Sequence, residues 1–102
     1  MPNQLLSRLA KLYELVASME EDLGLDTFSD EERAMIYAMT ASTQVGTEQF
    51  QSADIKDHPL CRKISKPTFY RNLKKLVHKG VVLPAPGRKT GVYVLSDSWK
   101  PE

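Results

Sequence analysis

Ser65-Lys-Pro-Thr-Phe-Tyr-Arg-Asn-Leu-Lys-Lys-Leu-Val-His-Lys-Gly80 is the stretch whose reading decides the fold. At about 100° per residue, Phe69, Leu73, Leu76 and Val77 fall on one side of a helix, and Pro67, Thr68, Arg71, Lys74, Lys75 and His78 fall on the other. One face is built for burial and the other for meeting negative charge. Ser65 or Lys66 caps the segment, Pro67 sits in a first turn where its missing amide costs nothing, and Gly80 closes it in a left-handed conformation.

After Gly80, two β-prone runs, Val81-Val-Leu83 and Val92-Tyr-Val-Leu95, flank PAPGRKTG. This spacing predicts an antiparallel hairpin whose long, proline-containing loop carries Arg88 and Lys89 near its tip. Trp99 is expected to fold the C-terminal tail back by packing.

Before Ser65, Ser29-Asp-Glu-Glu32 forms a capping box that predicts a helix over Asp30 to about Ser42, with Ala34, Ile36, Tyr37 and Met35 or Met39 facing inward. Residues 40–51 read as a loop with a short extended piece at 47–51. Ser52 reads as the N-cap of a short helix carrying Ile55, and Pro59 interrupts the chain before Leu60 and Ile64. At the start, Leu5, Leu9, Leu12, Val16, Met19 and Leu23 alternate at spacings of four and three, a seam of coiled-coil type on a helix from Asn3 to Leu23. Such a seam packs either on its own domain or on a second copy in a homodimer.

Charge is divided unevenly. Residues 1–57 hold 11 acidic and 4 basic side chains, net −7, and residues 58–102 hold 10 basic and 2 acidic, net +8, with no acid from His58 to Ser96. Asymmetry of this kind points to a polyanion-binding surface. With 102 residues there is room for one small domain and little for a separate catalytic module, so a binding protein is expected and an enzyme is not. The single cysteine, Cys61, fits a reducing compartment, and no apolar run spans a membrane; a cytoplasmic location follows as the expectation.

His58, Cys61 and His78 give three metal donors with no fourth, and no glycine loop or nucleophile elbow is present. Neither a metal nor a cofactor is called for. Arg62 and Lys63 would favour a reactive thiolate at Cys61, although a buried, inert thiol is the expected state.

The run Ser65-x-x-Thr68-Phe69-x-Arg71-x-Leu73-x-x-Leu76-x-x-x-Gly80-Val81-Val82 resembles the recognition-helix signature of bacterial winged-helix transcriptional regulators of the MarR and IclR-like kind. Phe28-Ser29-x-Glu31-Glu32-x-x-Met35-Ile36 is similar to the start of their first winged-helix helix. Asp57–Lys63 departs from them, being longer and more basic than their usual turn. The resemblance implies a mainly α (α+β) fold: an N-terminal helix over residues 1–26 that serves dimerisation, then a winged helix-turn-helix over 27–102 with a three-helix core and a two-stranded wing. It implies a cytoplasmic, sequence-specific regulator of transcription that binds double-stranded DNA. Pro67, Thr68 and Arg71 would meet base edges, and Ser65, Lys66, Tyr70, Lys74, Lys75, Arg88 and Lys89 would meet phosphate or sugar. The alternative is a winged-helix module for protein–protein contact with no DNA role.

Overall fold

Ser29 begins the larger folded unit with the reciprocal cap that its sequence predicts. Its side chain accepts from the Glu32 amide at 3.1 Å, and the Glu32 carboxylate accepts from the Ser29 amide at 2.9 Å. In the computed structural model, which describes residues 3–43, 49–87 and 90–96, the described chain falls into two units, 3–28 and 29–96. The first is helix α1, Asn3–Asp22, followed by a 3-10 turn at Leu25–Thr27. Gly24, at φ 76°, makes the left-handed break between them.

The second unit runs α2 (Asp30–Ser42), β1 (Gln49–Gln51), α3 (Ser52–Lys56), a 3-10 turn (Pro59–Cys61), α4 (Lys66–His78), β2 (Val82–Pro84) and β3 (Val92–Leu95). The fold is therefore mainly helical with one small antiparallel sheet. That sheet has three strands in the order β1-β3-β2, not the two expected from the hairpin alone. β2 and β3 pair as predicted, Val82 with Leu95 and Leu83 with Val94. On the other edge of β3, Phe50 lies opposite Tyr93, their rings stacked at 6.2 Å. Backbone groups of residues 49–51 thus find partners on a strand more than forty positions away, which a local reading cannot see.

The start of α3 also differs from expectation. Gln51, not Ser52, is the N-cap, with no side-chain hydrogen bond; Ser52 is the first helical residue and is buried, its amide donating to the Gly91 carbonyl at 2.9 Å. Tying that amide to the sheet satisfies a helix-end donor that a capping hydroxyl would otherwise serve. Between α3 and α4, residues 57–63 form an ordered turn. His58 caps it by accepting from the Leu60 amide on Nδ1 at 3.1 Å, which leaves Leu60 exposed and points Cys61 inward.

The core holds Met35, Ile36, Ala38 and Met39 of α2 against Phe69, Leu73 and Leu76 of α4, with Ile55, Cys61, Val81 and Val82 closing its ends. Both methionines are buried, as is Ala38, whereas Ala34 and Tyr37 are only half-buried. Helix α4 ends in a Schellman arrangement: the Val81 amide donates to the Leu76 carbonyl at 3.0 Å and the Gly80 amide to the Val77 carbonyl at 3.1 Å. Gly80 takes φ 81°, and its two apolar neighbours in the motif, Leu76 and Val81, are both buried. The same glycine turns the chain from helix into β2.

Glu32 joins the two ends of this core. Besides capping α2, its carboxylate accepts from Lys79 Nζ at 3.0 Å. Burial pushes the carboxyl's pKa up, but the Ser29 amide, the Lys79 ammonium and the Ser29 hydroxyl together outweigh it and hold the pKa below the ordinary glutamate range. A depressed folded pKa means stability that is complete above the unfolded value of about 4.3 and is lost as pH falls through the folded value. Glu32→Gln should cost about 1–2 kcal/mol at pH 7, through loss of the charged cap and the ion pair, and the cost should shrink below about pH 4. Urea denaturation followed by circular dichroism at pH 7 and pH 3.5 reads both quantities; an equal cost at the two pH values would contradict the assignment.

Candidate nucleic-acid interface

Ser65 positions the first turn of α4. Its side chain accepts from the Thr68 amide at 3.4 Å and donates to Thr68 Oγ1 at 2.9 Å. Thr68 Oγ1 also accepts from a terminal guanidinium nitrogen of Arg71 at 3.1 Å. The three side chains form a chain of hydrogen bonds that steers Arg71 toward the N-terminal end of the helix. A guanidinium has five donors, so this contact leaves it most of its bonding capacity.

The rest of the stripe follows from helical spacing. Arg71, Lys74, Lys75 and His78 line one shallow groove with Lys79, on the face opposite Phe69, Leu73 and Leu76. Lys66, Pro67, Arg71, Lys74 and Lys75 are exposed and Thr68 is half-buried. Among the described residues Lys66, Arg71, Lys74 and Lys75 form no ion pair. Lys79 differs from its neighbours, because Glu32 holds it.

Tyr70 stands with its ring edge-on to Phe69 at 5.1 Å and is 37% exposed, so half of it anchors in the core and half reaches solvent. It borders a groove with Lys66, Ser65, Ala53 and Lys56. Lys56 was not legible as part of this face, since it lies in the acidic half of the sequence; α3 carries it there. Lys63 borders a second groove with Ser65 and Thr68, so the basic turn before α4 contributes to the same end of the helix.

Folding also brings acids to a face that is acid-free in sequence. Asp30 and Glu31 border the groove with Lys63 and Thr68, and Asp57 borders the one with Lys66 and Tyr70. The cause is packing: α2 lies against α4, so its acidic first turn comes up beside Ser65. Asp30 is neutralised by an ion pair with Arg33. The strongest unopposed positive charge is therefore shifted along α4 toward Arg71, Lys74 and Lys75. The sequence places Arg88 and Lys89 between β2 and β3, and these two residues lie outside the described part of the structure, as does Trp99.

Cys61 is fully buried, with its thiol 3.8 Å from the Ala34 carbonyl. Burial pushes its pKa up and the nearby Lys56 only partly opposes this, so the cationic activation considered for Arg62 and Lys63 does not operate. No group of three or more potential metal ligands occurs among the described residues. No helix there is long and apolar enough to cross a membrane.

Comparison with protein-family models, with curated proteins and with solved structures returned no match.

Proposed function

We propose that residues 29–96 form a winged helix-turn-helix that binds double-stranded DNA sequence-specifically and regulates transcription, with α4 as the recognition helix. The observation that carries this is the face of α4: Arg71, Lys74 and Lys75 stand exposed, with no ion pair among the described residues, on a helix whose N-terminal side chains are held in place by Ser65. An α-helix fits the major groove, where an arginine can bond two acceptors of one guanine. The element order supports the reading as well, since helix, strand, short helix, helix and hairpin is the order of a winged helix-turn-helix, with β1 as the strand that the hairpin joins.

In this reading Pro67, Thr68 and Arg71 meet base edges, and Ser65, Lys66, Tyr70, Lys74 and Lys75 meet the sugar–phosphate backbone. Arg88 and Lys89 belong to the wing and extend the backbone contacts. Lys63 and Lys56 are additions to that set, placed beside Ser65 and Tyr70 by the turn and by α3.

Selection of bound duplexes from a random pool tests the proposal. Enrichment of one short motif is expected. Recovery of unenriched sequence, with a stoichiometric protein captured on the same face instead, would replace DNA with an acidic protein partner.

A further inference from the structure

Helix α1 leaves its apolar seam in solvent: none of its residues is buried, and Leu12 is 59% and Tyr13 68% exposed. Its charges are sorted along its length. Residues 3–12 hold two basic side chains, Arg8 and Lys11, and no acid; residues 13–22 hold four acids, Glu14, Glu20, Glu21 and Asp22, and no base. A helix of twenty residues exposing such a seam is expected to find a partner.

We propose that a second copy of this chain covers the seam, with the two α1 helices running antiparallel. Set Leu5 of one copy level with Leu23 of the other, and the same register brings Leu9 beside Met19 and Leu12 beside Val16 of the partner copy. Every seam residue is then matched twice over by symmetry, so the contact closes as a two-fold dimer. In this register Arg8 flanks Asp22 of the partner copy at both ends, and Tyr13 and Leu15 each meet their own counterpart near the dyad. The basic half of each helix lies along the acidic half of the other, and the helix dipoles oppose.

A parallel pair has none of these matches. It would bring the acidic halves of both copies together at one end and the basic residues together at the other, with the dipoles aligned. Charge and register therefore select the antiparallel pair from the two that the apolar seam alone permits. This pairing does not depend on the DNA-binding reading, because it concerns residues 3–23 only.

A charge swap in the full-length chain tests it. Arg8→Asp alone should weaken the dimer roughly tenfold in sedimentation equilibrium, since two symmetric ion pairs become repulsions. Adding Asp22→Arg should restore the dimer. Positions 8 and 22 on one helix are about 21 Å apart, so only contact between antiparallel copies can produce the rescue. As a second measurement, a spin label on Gln4→Cys, with Cys61 buried and unreactive, should report an inter-copy distance near or above about 30 Å for the antiparallel order and well under that for a parallel one. A monomer at about 100 µM, absence of rescue, or the short distance would each overturn the proposal.

Discussion

Phe69→Ala should cost about 3–5 kcal/mol of folding stability, the largest loss expected from any single substitution in this chain. Phe69 is completely buried, as are Met35, Met39 and Leu76 of the same core, so the vacated volume has no direct access to solvent. A domain of this size has on the order of 5–10 kcal/mol in total, so the variant should melt roughly 15–30 °C lower and populate unfolded chain visibly at 37 °C. The neighbouring Tyr70→Ala is the control. Its ring is partly in solvent, and its removal should cost less than about 2 kcal/mol. Thermal unfolding followed by circular dichroism separates the two. A loss under about 1 kcal/mol for Phe69→Ala would mean that α4 is not docked on α2 by this ring.

Arg71→Ala should leave stability within about 0.5 kcal/mol, because the side chain is exposed and, among the described residues, its hydrogen bond is with the Thr68 hydroxyl. Its effect should fall on DNA. Loss of a bidentate contact to guanine costs about 1–3 kcal/mol, a drop of roughly 5- to 150-fold in affinity for the selected duplex. Binding to scrambled duplex should weaken much less, since only one charge among several is lost. Lys74→Gln should behave in the opposite way, lowering both affinities by a similar factor and reducing the salt slope by about one unit. Fluorescence anisotropy with matched and scrambled duplexes gives the four numbers. Equal losses for Arg71→Ala on both duplexes would move Arg71 from base to backbone contact.

The parts of this fold that could be read in advance are those decided within one helical turn. Ser29 and Glu32 cap each other three residues apart, Ser65 caps α4 with Pro67 behind it, and Gly80 supplies the left-handed residue that the Schellman end needs. The bounds of α2 and α4 follow from these residues. What escaped was set by distant partners. Gln49-Phe-Gln51 reads as a short extended piece, but its pattern names no partner, and it joins the sheet because β3 offers it a free edge. Lys79, at the end of the same helix, is claimed by Glu32, 47 positions earlier, a pairing that no spacing along the chain announces.

The candidate site shows the same division. Helical periodicity alone puts Arg71, Lys74, Lys75 and His78 in one row, and the groove they line confirms that row. The carboxylates of Asp30, Glu31 and Asp57 at its N-terminal end were invisible to a charge count along the chain. They arrive there through the packing of α2 and through the turn after α3. Their presence predicts that the firmest contacts with a polyanion lie from Arg71 onward.

The salt dependence of binding tests the central claim most directly. If Lys56, Lys63, Lys66, Lys74, Lys75, Arg88 and Lys89 neutralise phosphates, log K for the selected duplex should fall linearly with log salt at a slope of about −6 per bound protomer. A duplex affinity that stays undetectable at 50 mM salt, or a slope shallower than about −2, would contradict a DNA-binding role for α4.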